Sequence, residues 1–271
     1  MNSLNDAAND EVPSDPNELR RLLDFAVEIA LEAGEITLKY FRRSFAVETK
    51  RDGSFVTQAD REAEAHLRKR IMQRFPDDAI LGEEGEDRAG TSDRRWIIDP
   101  IDGTFSFVHG VPMFGVLVGL EIEDEAMVGM INLPATGEVI SAARGLGCYL
   151  NDKRVQVSDT GTLEHALVLS TDFATCERYG FGDAGAEIQR RAKATRTWGD
   201  CYGHAMVATG RADVMLDPVM NVWDCAPLLT IIQEAGGTFT SWKGEATIRG
   251  GNAISTNGIL FDEVMQIVAS H

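Results

Sequence analysis

Four acidic segments stand where the chain changes direction instead of along exposed helix faces: Asp60 in VTQAD, Glu83 and Glu84 in ILGEEGE, Asp99 and Asp102 in WIIDPIDGT, and Asp224 in VWDCA. The pair in WIIDPIDGT is the most demanding. Trp96, Ile97 and Ile98 read as a core strand, so two carboxylates emerge straight from apolar surroundings. Like charges about 4 Å apart repel by about 1 kcal/mol in water, and by about four times that at an effective dielectric near 20. Pro100 stiffens the turn after Asp99, Gly103 permits close backbone approach, and Thr104 adds a hydroxyl. Carboxylate oxygens and a backbone carbonyl suit a hard cation such as Mg²⁺, which is often shared with phosphate oxygens. Two such ions would clamp an in-line displacement at phosphorus and supply a hydroxide-like nucleophile. For the EEGED stretch, a merely solvated surface is an equally good reading of the residues alone.

Other catalytic patterns fit less well. A haloacid-dehalogenase motif has one residue between its aspartates, whereas Pro100 and Ile101 both intervene here. An EF-hand loop needs ligands at alternating positions and a closing glutamate, and DPIDGTFSFVHG has neither. No Walker loop, GxGxxG or GxSxG is present. The net charge of −17 argues against nucleic acid or an anionic membrane as the main partner. A protein that handles anions with so acidic a surface needs an intermediary, and divalent cations are the obvious one. Cys148, Cys176, Cys201 and Cys225 have no metal-ligand spacing and suit a reducing compartment. With no signal-like start and no membrane-length apolar run, the expected location is the cytoplasm.

The elements that must position these groups follow from periodicity. After a polar leader, Leu19, Leu22, Ala26, Ile29, Ala33 and Ile36 form one helical stripe. A loop, ETKRDGSFVTQAD, leads to a second helix carrying Ala63, Leu67 and Ile71, with Asp60 at its start. Residues 115–149 alternate in the manner of an antiparallel meander. Beyond it, ALVLS and ADVMLD read as strands, AGAEIQRRAKA and GHAMVATG as helices, and CAPLLTIIQEAGG as a helix with a glycine stop. TFTSW and AISTN read as strands before a final helix, LFDEVMQIVAS. The expectation is a mixed α/β chain whose halves, 1–150 and 151–271, form one compact unit.

GEE, WIIDPIDGT-x-x-F and WDCA-x-x-x-x-I-x-x-EAGG, in this order, resemble the three signature segments of the inositol monophosphatase superfamily. The resemblance extends over most of the chain. It implies a layered αβαβα sandwich of the sugar-phosphatase type and hydrolysis of a small phosphate monoester by water. Two or three Mg²⁺ ions would be held by Glu83, Asp99, the Ile101 carbonyl, Asp102 and Asp224, with Glu84 in support. Asp60 and Thr104 resemble the pair that orients and deprotonates the attacking water; read without the resemblance, each is simply a cap. Gly103 and Thr104 would offer backbone N–H groups to the phosphate. The family also implies lithium sensitivity and a homodimer.

Two departures bear on the substrate. Phe105, Ser106 and Phe107 follow Thr104, and WGDCYGH occupies 198–204. Both are similar to the histidinol-phosphate phosphatase branch. Histidinol carries an ammonium group and a partly protonated imidazole, which the carboxylates of Asp200 and Asp217 would suit. The expected role is therefore in histidine biosynthesis. Inositol 1-phosphate or a broader pool of sugar and nucleotide phosphates is the alternative substrate class, and a catalytically silent metal-binding regulator is the alternative to an enzyme. His204 and Tyr202 read either as substrate contacts or as packing residues, and Cys201 and Cys225 as small buried hydrophobes beside the site.

Overall fold

A computed structural model describes residues 15–50 and 53–271. Most of the polar leader therefore lies outside the described residues, as do Arg51 and Asp52 of the following loop. The order is α1 (Pro16–Leu38), β1 (Val47–Thr49), β2 (Phe55–Thr57), α2 (Gln58–Arg74), β3 (Ala79–Gly82), β4 (Arg94–Asp102) and α3 (Thr104–Val108). The meander is β5 (Gly115–Ile122), β6 (Glu125–Leu133), β7 (Glu138–Ala143), β8 (Gly147–Leu150) and β9 (Lys153–Val155). Then come β10 (Leu167–Ser170), α4 (Phe173–Arg178), α5 (Gly182–Arg191), β11 (Ala194–Arg196), α6 (Asp200–Ala208) and β12 (Val214–Asp217). The chain closes with α7 (Val222–Glu234), β13 (Thr238–Thr240), β14 (Ala253–Thr256) and α8 (Phe261–Ser270).

Strands β3 to β9 form a seven-stranded sheet in chain order, and β11-β10-β12-β14-β13 form a five-stranded one. β3 runs parallel to β4, and each later neighbour in the larger sheet is antiparallel. Side chains on successive strand residues point to opposite faces, and β4 shows how this builds layers. Trp96 and Ile98 pack with Leu22, Ala26, Ile29 and Leu67 of α1 and α2. Ile97 faces the other way, toward Leu228, Ile231 and Ile232 of α7 and Ala205 of α6. In β12 the same alternation sends Met215 to that middle layer, while Val214 and Leu216 meet Cys176, Ile188 and Val264 of α4, α5 and α8. The result is the α/β/α/β/α layering expected of the sequence.

Two local expectations need correcting. The ETKRDGSFVTQAD stretch is more than a loop, because β1 and β2 pair across it from Val47↔Thr57 to Thr49↔Phe55. The helix read over AGAEIQRRAKA stops at Arg191. Ala192 turns extended (φ −65°, ψ 145°), and Ala194 pairs with Leu167 of β10. Sheet-edge hydrogen bonding outweighs alanine's helical preference at that point.

Helix α7 lies unusually close to the larger sheet. A Cβ added at Gly129 of β6 would fall 2.1 Å from the Pro227 carbonyl oxygen. Gly129→Ala is therefore expected to force α7 outward and cost about 1–3 kcal/mol in chemical denaturation. It should also weaken divalent-cation binding, because α7 carries Asp224. A denaturation midpoint equal to that of the parent would contradict this packing.

Candidate metal centre

The acidic segments meet at the ends of β3 and β4 and the starts of α3, α6 and α7. In β4 the pairing with β5 slips between Asp99 and Asp102. Pro100 has no N–H for a sheet hydrogen bond, so the strand bulges there. The bulge is pinned by Asp99, whose Oδ1 accepts from the Ile101 N–H at 2.9 Å. Gly103 ends it in the left-handed region at φ 81°, and the Thr104 hydroxyl donates to the Ile101 carbonyl at 2.8 Å. A Cβ on Gly103 would crowd the Met113 carbonyl oxygen at 2.9 Å and Asp200 Oδ2 at 3.0 Å. Glycine is thus required twice over.

Asp224 enters from α7, where its Oδ2 accepts from the Asn221 N–H at 2.7 Å and caps the helix start. Oxygens of Asp99, Asp102 and Asp224 lie within 4.8 Å of one another. Glu83 follows β3, whose Gly82 is paired with Ile98, so it arrives beside Asp99. Asp102 Oδ2 accepts from the Cys201 N–H at 2.5 Å, tying the bulge to α6. Asp200, the first residue of that helix, is held at φ 53° with its N–H donating to Thr171 Oγ1 at 2.9 Å. A positive φ at a residue with a side chain is strained backbone, and it concentrates at functional sites.

These carboxylates raise one another's proton affinity. Burial pushes Asp99 well above the usual carboxylate range, and Glu83, Asp102 and Asp224 push it further. Asp224 and Asp200 are likewise raised well above it, by burial and then by Asp102. Asp102 is raised by burial despite the Cys201 hydrogen bonds that favour its charge. Burial also raises Glu83 and Glu84, against the lowering influence of Lys50. Asp60 is fully buried, and burial lifts it to about 6 although Thr57 donates to its Oδ2 from both backbone (2.8 Å) and hydroxyl (2.5 Å). Its other oxygen, Oδ1, is buried with no hydrogen-bond partner.

A set made only of carboxylates and a carbonyl, mutually repelling, with Asp99 buried and Glu83, Asp102 and Asp224 half-buried, fits a hard divalent cation. The orphaned Asp60 oxygen adds a further unsatisfied acceptor. Among the described residues no hydrogen bond joins Asp60 to Thr104; Asp60 caps α2 through Thr57, and Thr104 caps the DGT turn. Asp217 lies close enough to Asp102 and Asp200 to raise both. His204 is completely buried, Tyr202 is half-buried against the middle core, and Cys201 and Cys225 are buried beside the site.

Three supporting residues escaped the sequence reading. The Lys50 ammonium bridges Glu83 Oε1 at 2.7 Å and Glu84 Oε1 at 2.6 Å. Burial works against its charge, but the two glutamates outweigh that and hold the ammonium above its usual range. Glu64 of α2 accepts from the Glu84 and Gly85 N–H groups at 2.7 and 2.8 Å, and Arg68 donates to Glu64 at 2.7 Å. The Glu64/Arg68 spacing of four was visible, yet it reads as an ordinary ion pair on a helix surface.

Residues 18–270 match the family model described as the inositol monophosphatase family. A histidinol-phosphatase of Chlorobaculum parvum is 43% identical over 240 residues, covering 88% of this chain and 93% of that one. An inositol-1-monophosphatase of Rhizobium meliloti is 36% identical over 82% of this chain and 86% of its own. Among solved structures, the extragenic suppressor protein suhB of Bartonella henselae superimposes with a TM-score of 0.84 at 27% identity, covering 92% and 98% of the two chains.

Acids whose folded pKa exceeds the unfolded value bind more protons when folded, so they lower stability as pH rises through the folded pKa. The metal-free protein is accordingly expected to melt at a higher temperature at pH 5.5 than at pH 8. Added Mg²⁺ should raise the melting temperature more at pH 8, where the carboxylates are free to bind it. Thermal scans at both pH values check this. A Mg²⁺ effect equal at both, or larger at pH 5.5, would contradict the assigned repulsion.

Proposed function

Since the chain belongs to the inositol monophosphatase family of phosphatases, we propose that it is a Mg²⁺-dependent histidinol-phosphate phosphatase of histidine biosynthesis. Glu83, Asp99, the Ile101 carbonyl, Asp102 and Asp224 would hold two or three Mg²⁺ ions. Bound there, the cations would neutralise the carboxylates and the phosphate and make coordinated water more acidic.

The protein's own groups account for the remainder. The backbone N–H groups of Gly103 and Thr104 receive the phosphate at the start of α3. Asp60, through the oxygen that lacks a partner, accepts the proton of the attacking water, and Thr104 orients that water with Glu83. The new bond forms between water oxygen and phosphorus as the ester P–O bond breaks. The proton from water ends on the departing alkoxide, giving histidinol and inorganic phosphate. Asp200 and Asp217 face the cationic end of the alcohol. The protein would act as a cytoplasmic homodimer on a small phosphorylated metabolite.

The observation that carries the substrate choice is Asp200, whose carboxylate is lodged 3.0 Å from the Cβ position of Gly103 and repelled by Asp102, Asp217 and Asp224. A substrate ammonium relieves that repulsion, whereas a neutral polyol does not. The 43% identical relative named histidinol-phosphatase supports the same choice, and the relative named inositol-1-monophosphatase supports the alternative ester.

Phosphate release is expected to be faster from L-histidinol phosphate than from inositol 1-phosphate, and to require Mg²⁺. Faster release from inositol 1-phosphate would overturn the substrate while leaving the mechanism. Asp102→Asn should lower kcat at least about 100-fold; unchanged turnover would remove Asp102 from the metal set. Asp200→Asn should raise KM for histidinol phosphate about tenfold, the scale of a lost hydrogen bond to a charged group. Equal effects on both esters would remove Asp200 from the specificity set.

A further inference from the structure

His204 has no part in the reaction set out above, yet it is wholly buried and both ring nitrogens are engaged. Its Nδ1 lies 2.7 Å from Ser255 Oγ and its Nε2 lies 3.3 Å from Asp217 Oδ2. The sheet explains how three distant residues meet. In the antiparallel pair β12–β14, Met215 is opposite Ser255 and Asp217 is opposite Ala253. Asp217 and Ser255 therefore project from the same face of the five-stranded sheet, and α6 lays His204 across them. Ser255 is itself completely buried.

The proton arrangement follows from the partners. A carboxylate can only accept, so the ring hydrogen sits on Nε2 and points to Asp217. In the neutral ring Nδ1 then accepts the Ser255 hydroxyl hydrogen, so the two partners select one tautomer. The Asp217 backbone carbonyl is fixed separately, by Trp242 Nε1 at 3.1 Å. Among the described residues no hydrogen bond engages Asp217 Oδ1. One carboxylate oxygen is thus tied back to the core and the other is left to meet a ligand.

The geometry points to His204 and Ser255 as positioning residues that aim the Asp217 carboxylate at the cationic leaving group of the substrate. The assignment rests on the proposed role of Asp217, and it adds a specificity relay running from the second sheet to the metal centre. Burial between two fixed partners leaves the imidazole a single orientation. Asp217 is thereby held ready to receive an ammonium group, at no ordering cost when the substrate arrives.

His204→Leu removes both hydrogen bonds, His204→Gln keeps a donor, and Ser255→Ala removes only the hydroxyl that sets the tautomer. With folding verified by circular dichroism, His204→Leu is expected to raise KM for histidinol phosphate about tenfold with kcat retained. Ser255→Ala should raise it less, and His204→Gln should restore part of the loss. KM for glycerol 2-phosphate, whose alcohol is neutral, should move far less. In a double-mutant cycle, Asp217→Asn and His204→Leu should be strongly non-additive. A kcat loss shared by both esters, an unchanged KM for histidinol phosphate, or additive effects would overturn the relay. If the parent enzyme prefers inositol 1-phosphate, the substrate reading fails on its own. The cycle is then read on that ester, where additivity overturns the positioning of Asp217 by His204, and non-additivity upholds that positioning while its aim at a cationic group falls with the substrate reading.

Discussion

Carboxylates held together away from bulk water repel one another, and in this protein the fold brings four, one buried and three half-buried, into one cluster. Asp99, Asp102, Asp200 and Asp224 are each driven above the ordinary carboxylate range first by burial and then, for all but Asp102, most strongly by another acid of the same cluster. Such an arrangement opposes folding unless protons or cations accompany it. Lys50 provides a built-in cation, but among the described residues its ion pairs are with Glu83 and Glu84, at the edge of the cluster. Among the described residues the oxygens of Asp99, Asp102 and Asp224 have no Lys or Arg partner, and they converge within 4.8 Å. That deficit of positive charge is what suits the cluster to a metal ion.

The rest of the architecture can be understood as holding these groups against their repulsion. A bulge at Pro100 lets two aspartates converge at the end of a core strand whose Trp96, Ile97 and Ile98 are fully buried. Helix α7, clamped against Gly129 of the larger sheet, brings Asp224 in at its positively polarised start. The smaller sheet contributes Asp217, and α6 contributes Asp200 and the backbone N–H that holds Asp102. Each sheet therefore supplies part of the centre, and the helices between them are the means of joining it.

Much of this was legible in the chain itself. Motif types and order disclosed the acidic centre and the family, and periodicity disclosed α1, α2, the meander and α7. What failed were features decided by contacts between distant residues. The β1–β2 hairpin is three residues long on each side, too short for a reliable alternation. Ala194 leaves its helical pattern because β10 offers it a hydrogen-bonding partner. Lys50, Glu64 and Arg68 look like ordinary surface charges until the fold carries them to the GEE loop, and no local pattern marks His204 as the neighbour of both Ser255 and Asp217. The hydrogen bonds of Asp60 and Thr104 go to Thr57 and Ile101, and their joint action on one water rests on the resemblance.

The central claim is that the acidic cluster is a cation receptor, and anomalous X-ray scattering from crystals equilibrated with Mn²⁺ in place of Mg²⁺ tests it most directly. Strong anomalous peaks are expected within coordination distance of Asp99, Asp102 and Asp224. Manganese found only at surface acids, with no peak among those three side chains, would contradict it.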